Sequence, residues 1–266
     1  MHRLKRPLAL ALALVLIFVL GACGESFESD IARAASKMQD LKSVHADMVL
    51  DMAFDIDGVG SLDMALDTSM DTAGDLTSGE ISMTLLGIPI SALYVVQVNG
   101  DSCDLYMSMD GGATWQAETG LTLEELESSQ GISSDAGSMV DFYLEVAKNF
   151  GEAVEETVDG VECRRYDGVF PGESLTEAMS MSGGSAYADV PEGVTLGDAP
   201  ISLWIAKDSG LPVRISLDMA DAMGQYMTGA LAESGLSEDA MSVSALTVTI
   251  DLSEFDTAEP MPVPQV

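Results

Sequence analysis

Few side chains in this chain of 266 residues are equipped for covalent or metal chemistry. Of its two histidines, His2 stands at the extreme N-terminus, which leaves His45 as the imidazole of the remaining chain. No Ser-His-Asp or Cys-His arrangement then has a second candidate base, and His45 opens a strand-like segment. Cys103 and Cys163 with one histidine make a poor zinc set. Asp55-Ile56-Asp57-Gly58 has part of the pattern of a calcium loop, but that frame places Ala53 at its first position and Met64 at its twelfth. Both anchoring ligands are therefore missing. Carboxylates abound, which makes any one pair uninformative, and no phosphate-cradling or dinucleotide-binding glycine pattern opens a helix. The residues point away from an enzyme, and they call for neither a cofactor nor a metal.

Cys23 is suited to a different reaction. His2, Arg3, Lys5 and Arg6 precede an uncharged run from Pro7 to Leu20, the length of a signal-peptide core and short for a membrane span. Leu20-Gly21-Ala22-Cys23 closes that run and resembles the lipobox of bacterial lipoproteins. The resemblance implies cleavage between Ala22 and Cys23 and a lipid on the Cys23 sulfur. The expected place of the chain is the extracytoplasmic face of a cell membrane, held by that lipid.

Eleven Lys and Arg oppose 44 Asp and Glu, a net charge of -33. A leader ending at Ala22 takes three of the basic residues, so 8 remain against 44 acids, or about -36. Such a field repels nucleic acid and anionic surfaces, so no nucleic-acid partner is expected. Apolar residues at 47 % and charged residues at 21 % indicate a folded chain. No Pro- or Ser-rich linker splits it. The expected organisation is a signal peptide over 1–22, a lipidated N-terminus and tether over 23–30, one domain over 31–257, and an extended tail over 258–266.

The elements of that domain follow from periodicity. Ile31, Ala34, Ala35, Met38 and Leu41 recur at helical spacing between Asp30 and Lys42. The period then becomes two: Ala46, Met48, Leu50, Met52, Phe54 and Ile56, and after Gly58, Leu62, Met64, Leu66 and Met70. Opposing Phe54 to Leu62, Met52 to Met64 and Leu50 to Leu66 staggers the acids of the other face, with Asp51 against Ala65 and Ala53 against Asp63. A two-residue slip would set carboxylate against carboxylate, and a one-residue slip would turn a whole face to solvent. This register requires a three-residue loop, Asp57-Gly58-Val59. Further strands are expected over 80–86, 90–99, 103–109, 114–118, 153–158, 161–166, 201–207, 211–219 and 243–252, with Asp159-Gly160 as a tight hairpin turn. Helices are expected over 123–129, 136–150, 174–182 and 221–233.

A sheet of eight to ten antiparallel strands with one apolar face must cover that face. Helices that stand off it would leave a cavity lined by Met48, Leu50, Met52, Phe54, Leu62, Met64, Leu66, Met83, Leu203, Ile205, Ile215, Leu217, Val248 and Ile250. Methionine suits surfaces that accept variable apolar shapes, and it also fills ordinary cores. If the helices pack down instead, the product is a closed-core, non-catalytic module that shows partners an acidic surface. Cys103 and Cys163 each fall in a strand-like stretch. A disulfide between them and two free thiols both fit the sequence.

Ile201 to Ile215, with Trp204 in a strand, Asp208-Ser209-Gly210 as a turn and Leu211-Pro212 opening the next strand, resembles a strand-turn-strand of the LolA/LolB-like lipoprotein superfamily and its LppX/LprG-type members. Val158 to Tyr166 resembles that superfamily's central hairpin, and Val248 to Phe255, with Pro260 and Pro262, its last strand and exit. The resemblance implies an α+β fold: a single curved antiparallel sheet, a half-barrel, whose apolar concave face is covered by helices. It implies a hydrophobic cavity that takes a lipid or other apolar ligand, for transport or sensing. The stretch from Asp221 to Asp239 departs from the pattern as a long insertion.

Overall fold

The computed structural model describes residues 27–85, 88–122, 125–126, 149–175 and 194–265. The lipobox with Cys23 and most of the helices expected over 136–150 and 174–182 lie outside the described residues. So does most of the helix expected over 123–129.

The alternation builds an antiparallel sheet of eleven strands, one more than the upper count expected. In chain order they are β1 (Ser43–Ile56), β2 (Gly60–Ala73), β3 (Leu76–Leu85), β4 (Ile88–Asn99), β5 (Ser102–Ser108), β6 (Gln116–Leu121), β7 (Val154–Val158), β8 (Val161–Phe170), β9 (Ala199–Ala206), β10 (Pro212–Asp218) and β11 (Met241–Ser253). Their spatial order is β6-β5-β4-β3-β2-β1-β11-β10-β9-β8-β7. Two meanders, β1–β6 and β7–β11, are thus joined along β1 and β11, and the sheet stays open with β6 and β7 at its edges. Helix α1 (Phe27–Gln39) precedes the sheet, and α2 (Ala220–Glu233) lies between β10 and β11.

The first hairpin has the register that charge and apolar alternation require. Phe54 faces Leu62, Met52 faces Met64, Leu50 faces Leu66, and Asp51 faces Ala65. Gly58, in the three-residue turn, takes a φ of +73°, a left-handed conformation that glycine adopts without strain. β3 begins four residues earlier than its alternation suggests, through Leu76-Thr77-Ser78-Gly79. Gly79 has a packing reason: a Cβ there would come within 2.8 Å of the Tyr94 hydroxyl and collide with the Ser69 carbonyl. The ring of Tyr94, 1 % exposed, lies over that gap.

The core lies on the inner face, where β8–β11 meet both helices. Ala34 and Met38 of α1 and Ala222 and Met223 of α2 pack with Leu203, Ile215, Val248 and Ile250. Position along the chain also matters at both ends of the domain. α1 begins at Phe27, three residues before the expected tether ends. The expected tail is held down: Ala258 is buried, and the Met261 amide donates to Ser78 Oγ at 2.7 Å.

Cys103 lies on β5 and Cys163 on β8, far apart in the strand order, and both are buried free thiols. The disulfide considered from sequence is therefore absent from this fold. Burial raises both thiol pKa values, which keeps them in their unreactive protonated form.

Candidate functional site

Strand pairing aligns the predicted lining residues in rows across the inner face. One row reads Ile90, Met83, Leu66, Leu50, Val248, Leu217 and Ile201 through successive partners. Burial changes along it. Val248 and Leu217 are 1 % exposed, whereas Ile90 is 38 % exposed, and Leu50, Leu66 and Met83 are half-buried. The next row in one direction holds Met64, Met52 and Leu246, and the one beyond holds Leu62, Phe54 and Val243. Leu246 is buried, while Met64, Met52, Leu62, Phe54 and Val243 remain half-buried.

The 14 expected residues therefore divide. Leu203, Ile205, Ile215, Leu217, Val248 and Ile250 are buried core beneath α1 and α2. Met48, Leu50, Met52, Phe54, Leu62, Met64, Leu66 and Met83 form a half-open apolar trough on β1–β3. A β-bulge opposite Ala53 and Phe54, where Ser244 is the extra residue of β11, turns Val243 to the trough side. A groove of about 770 Å³ continues from there along α2, between Val194-Thr195 and Gly224, Gln225 and Thr228, with Val243 on its wall. Small residues at Ala220, Gly224 and Ala232 leave this side of the helix open. Gln225 braces it by accepting from the Gly197 amide at 2.6 Å.

Sequence reasoning missed the groove side of α2 and the outer end of the trough. The signal for Ile88 and Ile90 was present, since both continue the period of two through Ala92 and Tyr94. No local signal marks Gly224 or Thr228, because their role depends on how α2 meets the sheet.

Electrostatics divide the molecule along the same line. Asp30, 3 % exposed on α1, accepts from Arg164 at 2.8 Å and from the Tyr166 hydroxyl at 2.5 Å. Arg33 adds a longer contact at 3.4 Å. Burial and then the Asp30 hydrogen bond push the Tyr166 pKa up to about 12. This cluster fastens α1 over β8. On the outer face of β7–β11, Arg165 bridges Glu156 and Asp167. Arg214 pairs with Asp251 and Asp159, and Lys207 with Glu155 at 3.0 Å.

Among the described residues no such Lys or Arg pair is found on the outer face of β1–β3, and the sequence contains no Lys or Arg from Ser43 to Ala147. His45 is the cation available there, 2.8 Å from Asp71 and 3.1 Å from Asp47. Burial works against its protonation, but the hydrogen bonds and charges of Asp71 and Asp47 outweigh it and raise the pKa. Two shallow outer depressions, of about 460 and 240 Å³, are bordered by Asp51 and Asp63 and by Asp47, Asp67 and Glu80. Among the described residues no group of three or more His, Cys, Asp or Glu is arranged to hold a metal ion.

No protein-family model matches the chain, and no curated protein matches it. Several solved structures are similar over most of its length. Lipoprotein LppX from Mycobacterium tuberculosis is 18 % identical with a TM-score of 0.45, over 90 % of this chain and 100 % of that one. LprF from Mycobacterium bovis is 13 % identical with a TM-score of 0.49, over 89 % and 94 %. A LolA-superfamily protein from Nitrosomonas europaea is 9 % identical with a TM-score of 0.25, over 90 % and 96 %. The likeness is loose, and the fold stands on the chain's own strand order.

Proposed function

We propose that the chain is a membrane-anchored extracytoplasmic lipoprotein that binds a lipid or other apolar ligand non-covalently in the trough of β1–β3. The observation that carries this reading is the burial gradient along the inner rows. A closed core would bury Leu50, Met52, Phe54 and Met64 as it buries Val248 and Ile215, and it does not. Solvent-accessible apolar side chains in a continuous concave row are what an acyl chain requires, and methionines let the wall adjust to its shape. Cys23 serves as the lipid-attachment point in this reading. Its leader is cleaved after Ala22.

No catalytic role is proposed. His45 is engaged with two carboxylates on the outer face, the side of β1 opposite the trough.

Solvent extraction and mass spectrometry of the mature protein, purified without detergent, tests the reading. A stoichiometric lipid is the expected result. An empty protein that also fails to take up a fluorescent fatty acid would return the chain to the closed-core interaction module.

A further inference from the structure

Large hydrophobic side chains left on the surface are unevenly placed. Among the described residues Val59 is 78 % exposed, Met109 66 %, Ile88 64 %, Leu236 58 % and Ile90 38 %. Each of the four on or beside β1–β5 lies at the same end of its strand, and Leu236 lies beside the β1–β2 turn; by register Ile90 is level with Leu50 and Met109 with Met48, set back from that turn. Val59 is in the β1–β2 turn, Ile88 and Ile90 open β4, and Met109 follows the end of β5. Leu236 precedes the short helix Glu238–Ala240, whose Ala240 carbonyl accepts from the Asp57 amide at 3.1 Å, beside the β1–β2 turn. Ile88 pairs with Leu85 and Ile90 with Met83, so the exposed end continues the trough. The other two exposed hydrophobics, Val154 and Val161, belong to the β7–β8 hairpin at the far edge.

We propose that this end of the sheet docks on the surface of a lipid bilayer, with Val59 and Ile88 entering the interface at the mouth of the trough. The proposal rests on the lipid-binding reading above and adds where the ligand enters and leaves. Separate apolar side chains at protruding hairpin tips suit insertion between headgroups. A protein partner instead needs a broad complementary patch.

The start of the chain supports a bilayer as the occupant. α1 runs from the trough-mouth side toward the β9–β10 turn. Its Phe27 ring stacks on Phe150 at 3.9 Å and meets Tyr166 at 5.1 Å, while Lys37 near its other end donates to the Ser209 carbonyl. Cys23 precedes Phe27 by four residues, a span of at most ~14 Å. From the Met48 row to Ile56, β1 extends a further eight residues, or ~26 Å. A tether this short holds the domain close to the membrane, within reach of hairpins that extend well past the start of α1.

Charge selects the kind of bilayer. The segment 43–147 has no Lys or Arg, nor has 234–266, and Asp55, Asp57 and Asp239 stand near the tips. No basic contact to an anionic headgroup is available, so the fitting surface is zwitterionic or neutral.

The experiment uses the mature full-length protein in phosphatidylcholine vesicles. An environment-sensitive fluorophore is placed at Val59→Cys, at Ile88→Cys, or at Val161→Cys as the far-edge control. Probes at 59 and 88 are expected to shift to the blue and to be quenched by nitroxide-labelled lipid, with 161 unaffected. Adding phosphatidylglycerol should weaken the quenching, and salt should partly restore it. Ligand delivery to acceptor vesicles should fall about tenfold or more in the Val59→Asp, Ile88→Asp double variant, with the lipid recovered on extraction unchanged. Water-like spectra at 59 and 88 in a protein that yields stoichiometric lipid would overturn the docking and leave lipid binding intact. Equal quenching at 161 would also overturn it. Quenching confined to 59 and 88 in a protein that yields no lipid would uphold the docked surface and overturn the binding reading.

Discussion

The wing made by β8–β11 and the wing made by β1–β4 share one sheet and one alternating pattern, yet they use it differently. In the first, the inner side chains are sealed beneath two helices and the outer cations are matched to carboxylates. In the second, Ala46, Met70 and Tyr94 are buried, but the inner side chains from Met48 to Phe54 and those facing them on β2 and β3 remain half-open, and the outer face carries acids with one histidine among them. One wing is arranged for stability. The other keeps apolar surface within reach of solvent, which costs stability that the first wing must supply.

Truncation should separate the wings most sharply. Leu203→Ala, at a side chain 1 % exposed, is expected to lower unfolding stability by about 3 kcal/mol or more. Met52→Ala in the trough should cost under about 1 kcal/mol while reducing ligand uptake. Chemical denaturation with a lipid-uptake assay measures both, and equal losses would show the trough to be ordinary core.

The clasp between α1 and β8 comes next. Asp30→Ala leaves Arg164 and the Tyr166 hydroxyl without their buried acceptor, for an expected loss of about 2 kcal/mol. That figure is discounted because Arg164 is 35 % exposed. Arg165→Ala on the outer face should cost well under about 1 kcal/mol in the same assay.

A pair of neighbours tests the facing of β1. Leu50→Asp puts a charge in the trough and should abolish uptake or folding, whereas Asp51→Asn should alter stability by less than about 0.5 kcal/mol. Thermal melts and uptake that respond alike to both would refute the assigned faces.

The smallest effect expected is a pH dependence from the acidic wing. Because the His45 pKa is raised in the folded state, its contribution is fully present below the unfolded value near 6.5. It is lost as pH rises through the folded value. Stability followed from pH 6 to pH 9 should therefore decline in part through His45, and His45→Gln should remove that part.

Much of the β1–β4 wing was legible in the sequence because its rules are local. Alternation, a Gly-containing turn and the repulsion of opposed carboxylates suffice to fix the β1–β2 register. The pairing of β1 with β11 was not legible, since strands at the two ends of the domain have no local signal that makes them neighbours. Asp30 reads as the polar start of a helix, and only the tertiary arrangement shows it buried against Arg164 and Tyr166. The division of the 14 inner residues into sealed and open sets was hidden for the same reason. Leu50 and Leu217 carry the same side chain in the same alternating pattern and differ in what lies above them.

The seam between the two meanders also has a temporal meaning. Within each meander every strand pairs with the one just made, mostly through short turns, although longer segments join β8 to β9 and β10 to β11. The central pairing instead joins His45 to Ser253, so the middle of the sheet waits for the last strand. Until β11 arrives, β1 keeps an unsatisfied edge. A chain exported from its N-terminus would thus cross as loosely held hairpins and lock into one sheet when its C-terminal strand follows.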